Sequence, residues 1–154
     1  VSTSTDLRIR QFLAAHTTMT LATVSEDGRP QAAALFYAEM DDFSCVFVSE
    51  QKVRHSHNLL HDSRVAATIH ADGQQWQAIQ GLQIEGRCIR LTGAAVETAR
   101  NVYTDKYPFL KTHKLLGVAL HFGTFYQLLP DWIRLIDNSL GFGHKEEWRS
   151  VLAR

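Results

Sequence analysis

The densest group of residues able to do chemistry is Phe47-Val48-Ser49-Glu50-Gln51-Lys52-Val53-Arg54-His55-Ser56-His57-Asn58, where an apolar strand pattern runs straight into a polar, basic one. The pattern predicts a helix over 50–61 with Ser49 as its N-cap. At the third helical position, where a capping box places Glu or Gln, stands Lys52, with Arg54 and His55 just beyond. A helix N-terminus already carries about half a positive charge and several unpaired N–H groups, so further cations there are unfavourable unless an anion joins them. A phosphomonoester meets that condition. Charge-assisted hydrogen bonds from Lys52 and Arg54, worth about 1.5–3 kcal/mol each, would supply much of its affinity. Without an anion, the same residues make a solvated basic helix start partly balanced by Glu50, and spacing alone leaves both readings open.

Other chemistries fit less well. Ser49-Glu50-Gln51-Lys52 matches the S-x-x-K pattern of serine acyl enzymes, but the companion S-D-N and K-T-G motifs are absent. Among the eight histidines, His57 and His61 share a helical face, but His55 points elsewhere and no H-E-x-x-H occurs, so no metal site is expected. His70 and His121, each placed in an expected strand, read as wall residues. Cys45 and Cys88 lie far apart within apolar runs and form no C-x-x-C pair, which marks them as reduced core thiols. Trp132 and Arg134, two apart on one strand face, could flank a planar ring, or simply pack on each other.

The elements that must position these residues form one unit over residues 1–154, with no repeat, linker or low-complexity tract. Lys plus Arg number 16 and so do Asp plus Glu, so no net field favours nucleic acid or an anionic membrane. No apolar run approaches the roughly 20 residues of a membrane span, and the cytoplasm is the expected location. Thr5 is expected to cap a helix whose Ile9, Phe12 and Leu13 form one stripe. Strands are expected at 19–24, 31–38 and 43–49, joined by the Asp27-Gly28 turn and the acidic turn at Asp41 and Asp42. A strand at 65–70 and one at 82–91 follow, with a bulge near Gly86 to reconcile the parity of Leu82 and Ile84 with that of Ile89 and Leu91. Thr92 is expected to cap a helix ending before Pro108. Val118, Leu120 and Phe122 alternate as a strand, Pro130-Asp131 breaks the run, and Trp132–Ile136 forms a last strand before a glycine-rich tail. The fold class is therefore mainly β (α+β): a six- to seven-stranded antiparallel barrel, closed or nearly closed (split) so as to remove exposed edges, with about three short helices.

Three segments carry a more specific likeness: Glu50-Gln51-Lys52-Val53-Arg54-His55; Ile79-Gln80-Gly81-Leu82-Gln83 with Gly86; and Asp137-Asn138-Ser139-Leu140-Gly141-Phe142-Gly143-His144-Lys145. With Asn58-Leu59 and Ser63-Arg64-Val65, which is similar to the spacing N-L-x-x-x-P-R-V with serine in place of proline, they resemble the pyridoxamine 5'-phosphate oxidase-like FMN-binding split barrels, most closely the YhbP branch. The resemblance covers nearly the whole chain. It implies a homodimer with FMN at the subunit interface, phosphate contacts from Ser49, Lys52, Arg54, His55 and Asn58, and a flavin ring lined by Ala33, Ala34 and Leu35. Trp132 and Arg134 would face the ring from the other subunit. It further implies a flavin oxidoreductase using a nicotinamide or small organic electron donor, with a small-molecule substrate; no acid–base residue stands out, since the cofactor carries the chemistry. The G-F-x-F-Y-T-N run and terminal R-L-x-P of dedicated pyridoxine-phosphate oxidases do not occur, which argues against vitamin B6 as substrate. Because split barrels also bind haem or the deazaflavin F420, a non-catalytic flavin- or haem-binding dimer is the alternative.

Overall fold

A computed structural model describes residues 2–152. Helix α1 (Ser4–Ala15) starts from Thr3, not Thr5: the Thr3 hydroxyl accepts from the Asp6 N–H, and the Asp6 carboxylate accepts from the Thr3 N–H, a reciprocal capping box. Its stripe of Ile9, Phe12 and Leu13 is buried as expected. The chain then forms β1 (Thr18–Val24), β2 (Pro30–Phe36), the two-residue β3 (Ala38–Glu39) and β4 (Cys45–Ser49). Helix α2 (Arg54–His61), β5 (Arg64–His70), β6 (Gln80–Arg90), α3 (Ala94–Lys106), α4 (Lys114–Phe122), β7 (Thr124–Asp137) and β8 (Lys145–Arg149) follow.

All strand pairs are antiparallel, in the order β2-β1-β5-β6-β7-β4-β3, with β8 added on β7. Strand β7 is long enough to serve two neighbours on one edge: Thr124–Leu128 pairs with β4 and Trp132–Ile136 with β8. Among the described residues no ladder joins β2 to the β4–β3 end. The sheet nevertheless curls until Met19 and Leu21 of β1 share one buried cluster with Cys45 and Phe47 of β4, so the architecture is an α+β split half-barrel. A second cluster lies outside it, where Val46 and Phe125 meet Ala99, Tyr103 and Leu120 of α3 and α4. Cys45 and Cys88 are both free and buried, and burial pushes each thiol up to about 12.

Several elements depart from the expected pattern. The described residues form eight strands and four α-helices, and the expected strand through Val118, Leu120 and Phe122 is the helix α4. Lys114-Leu-Leu-Gly-Val-Ala-Leu-His-Phe122 is a short apolar run whose period cannot separate strand from buried helix. His113 decides it locally, since its ring accepts from the Leu116 N–H at 3.3 Å and caps the turn. Pro130 does not end a strand. The register shifts between Glu85 and Gly86, which face Trp132 and Pro130, so the extra residue of the expected bulge is Asp131 on β7, and a bulge is where a strand tolerates a proline. A Cβ on Gly86 would run into the Leu129 carbonyl oxygen, so glycine is required there. Because the extra residue lies on the partner strand, β6 keeps its parity from Leu82 to Cys88 and leaves Ile89 exposed. The position expected for Thr92 as cap is taken by Gly93 at φ 62°. The glycine-rich tail folds into a turn and then β8.

Candidate functional site

The junction after β4 is built differently from its expected form. Residues 50–53 are a loop, α2 begins at Arg54, and the N-cap is Val53, which offers no side-chain bond. Arg54, His55 and Ser56 are thus the first three helical residues, and no acidic residue occupies the first turn. Ser49 is not the N-cap. It ends β4, and its Oγ lies 2.7 Å from His55 Nε2, a hydrogen bond that ties the strand end to α2 across the loop. The His55 ring is 7% exposed, and burial lowers its pKa, so it is neutral at pH 7. If its Nε2 carries the proton and donates to Ser49, the Ser49 hydroxyl proton is free for an acceptor.

Lys52 and Arg54 are exposed beside this junction. Asp27, held below its usual carboxylate value first by the Ser25 hydroxyl, also feels the Arg54 charge, but its direct ion pair at 3.2 Å is with Arg29. Asn58 is 4% exposed and donates from Nδ2 to Thr23 Oγ1 at 2.9 Å, which fastens α2 to β1. Next to His55, the Ser56 hydroxyl is buried with no hydrogen-bond partner among the described residues. The run Ala33-Ala34-Leu35 does not present one surface. Ala34 faces outward opposite Thr20, whereas Ala33 and Leu35 have the inward parity, and Leu35 packs on the barrel core.

Trp132 and Arg134 sit on the outer face of the sheet. The Arg134 guanidinium lies 4.8 Å from the Trp132 ring and donates to Glu147 from Nε (3.0 Å) and Nη2 (2.6 Å). Those bonds, with a smaller contribution from the neighbouring Trp132 side chain, hold Glu147 below its usual carboxylate range. The indole N–H is nevertheless buried without a partner in hydrogen-bond geometry. With Thr20, Ala66, Gln83 and Arg149 they line a cleft of about 640 Å³. This cleft shares no lining residue with the Ser49 junction, so one chain does not bring the two groups together.

Two features were missed in the sequence. The first is an apolar cavity of about 550 Å³ beside Ser49, walled by Phe36, Tyr103, Tyr107 and Phe109 and roofed by α4. The spacing of Tyr103, Tyr107 and Phe109 was the available signal, hidden once α4 was taken for a strand. The second is the role of the tail. Asp137 is 4% exposed; burial alone would raise its pKa, but hydrogen bonds from Ser139 and Gln80 and the Arg8 charge lower it instead. The Asn138 side chain donates to the Trp76 carbonyl (2.7 Å) and accepts from the Gly143 N–H (3.0 Å), so Asp137 to Gly143 is a staple of the fold. His121 lies on α4 and not on a strand, while His70 remains in β5. His61 is 3.7 Å from Glu26, and among the described residues no group of three potential ligands is placed to hold a metal. No helix among them is long and apolar enough to cross a membrane.

The half-barrel and its strand-to-helix junction define a family that comparison recovers. The sequence profile of the family described as pyridoxamine 5'-phosphate oxidase matches residues 6–116, and the chain belongs to that family. Within it, a UPF0306 protein of Pasteurella multocida is 30% identical over 143 residues, 92% of this chain and 90% of that one. Of the solved structures, a conserved hypothetical protein of Mycobacterium tuberculosis superposes with a TM-score of 0.75 at 22% identity, covering 94% of this chain and 91% of that one. HutZ, a haem storage protein of Vibrio cholerae, superposes with a TM-score of 0.69 at 14% identity, covering 94% and 93%.

Proposed function

We propose that this chain is an FMN-binding flavoprotein, working as a homodimer, that passes electrons between a nicotinamide or small organic donor and an organic substrate. The observation that carries it is the start of α2. An uncapped helix N-terminus, with no acid in its first turn, has Lys52 and Arg54 beside it and the Ser49 hydroxyl facing His55. These features favour a phosphate, with Glu50 in the loop and Asp27, which feels the Arg54 charge, as the acidic groups nearby. The unpartnered Ser56 hydroxyl adds to this, since a buried polar group left unpaired costs about 1–3 kcal/mol. Ser49, Lys52, Arg54 and the first N–H groups of α2 would hold the phosphate, and His55 would fix Ser49. The bound flavin would supply hydride transfer at its ring, and the chain's task is to anchor, orient and desolvate it.

The outer face supports the proposed dimer. Thr20, Ala22, Ala34, Ala66 and Thr68 make a small-residue surface across three adjacent strands, whose short side chains would let a second copy approach closely. The partner subunit's Trp132 and Arg134 would then supply a ring face and a cation to a flavin anchored at α2, and the unpaired indole N–H would gain an acceptor. Purified protein should show the two-banded absorption of a flavin, bleached anaerobically by NADH or NADPH, and FMN should raise its Tm. A colourless protein whose Tm ignores FMN refutes this reading. The fold shared with HutZ favours a second reading, haem storage, which a sharp Soret band would identify.

A further inference from the structure

We propose that the apolar cavity between the end of β4 and helices α3 and α4 binds one flat, uncharged aromatic molecule of two or three fused rings, the organic substrate of the flavoprotein read above; the assignment to a substrate rests on that reading. At about 550 Å³ the cavity falls in the range of small-molecule pockets. Its wall is a continuous aromatic surface, with ring centroids 5.5 Å apart for Phe36 and Tyr107, 5.0 Å for Tyr103 and Tyr107, and 6.1 Å for Tyr107 and Phe109. Such surfaces select rings that stack or meet them edge-on.

The polar groups narrow the class further. The Tyr107 hydroxyl is spent on the carbonyls of Thr17 and Tyr37, and Ser49 is engaged by His55 and, on the reading above, by the phosphate. No Lys or Arg lines the cavity, and Glu50 stands at it, so an anion is unwelcome. The Tyr103 hydroxyl alone has no hydrogen bond to another described residue, and burial pushes it up to about 12, so it stays a neutral donor. A guest is therefore allowed one acceptor, such as a ring carbonyl. Ser49 belongs both to this wall and to the junction at α2, so a molecule in the cavity lies beside whatever is anchored there.

The test titrates the full chain, with and without FMN, with the neutral fluorescent probe N-phenyl-1-naphthylamine, and competes it with 2-acetylnaphthalene and 2-ethylnaphthalene. Saturable binding of one probe per chain is expected, with the ketone preferred to the hydrocarbon. Ala119→Trp, at an exposed helical position on the cavity wall, should weaken the probe at least about tenfold while FMN binding stays unchanged. Leu116→Trp serves if that variant does not fold. Tyr103→Phe should abolish the preference for the ketone and leave the probe's own affinity within about twofold. No saturable binding, displacement of the probe by FMN one for one, or a cavity closed by dimerisation would each overturn the proposal. FMN titration reports the flavin reading separately: probe binding without any FMN binding would sink that reading and keep the aromatic site.

Discussion

Replacing Lys52 and Arg54 together by alanine separates a phosphate site from ordinary surface charge. Both side chains are exposed, so each charge-assisted bond is taken at the low end, about 1.5 kcal/mol, giving ~3 kcal/mol for the pair. That corresponds to about 150-fold in Kd for FMN. Riboflavin has the same ring and no phosphate, and an exposed substitution away from a contact changes free energies by roughly 0.5 kcal/mol, so its Kd should move by no more than about threefold. Flavin fluorescence titrations with both ligands give the two ratios, and Tm confirms that the variant folds. Because exposed charges are screened over about 8 Å at physiological salt, added salt should weaken FMN binding to the parent chain and have much less effect on the variant. Equal losses for FMN and riboflavin would show that the two residues act on the ring or on the fold. An unchanged FMN affinity would show that no phosphate sits at α2.

Two further predictions concern stability. Asp137→Asn removes the charge facing Arg8, 2.5 Å away, while Arg8 keeps Glu146; removing one partner of a buried pair costs ~3–5 kcal/mol, and the remaining partner and the part-exposed arginine reduce this to about 2, or about 4–8 °C in Tm. A Tm within a degree of the parent would mean that the staple does not depend on that charge. His55 has a folded pKa below its ordinary value of 6.5, because burial disfavours the imidazolium. Its contribution is present above pH 6.5 and is lost as pH falls from there towards the lowered folded value, since the unfolded chain binds the proton first. Urea denaturation midpoints should therefore fall across that window more steeply in the parent than in His55→Gln, and parallel profiles would contradict the assignment.

Where burial had one periodic solution, the fold was legible in the sequence. Ile9, Phe12 and Leu13 could only form a helical stripe; the parity change from Leu82 and Ile84 to Ile89 and Leu91 pointed to a bulge near Gly86, which exists, but its extra residue is Asp131 on the partner strand and β6 keeps its parity. Helix α4 was not legible, because an apolar run of nine residues satisfies either period and its cap is an atypical histidine. That one error hid the aromatic cavity, which exists only if Leu116 and Leu120 come from a helix. At the candidate site, residue types were informative and spacing was not. Lys52 was expected as the third helical residue, but residues 50–53 form a loop, and its displacement removes the argument that first singled it out. The proposed phosphate site rests instead on a different observation: the helix that begins at Arg54 has neither cap nor acid, and Ser49 reaches it through a hydrogen bond to His55 that no capping rule contains. A serine six residues before a buried histidine is a signal that depends on the loop's path, so it is read only from the fold.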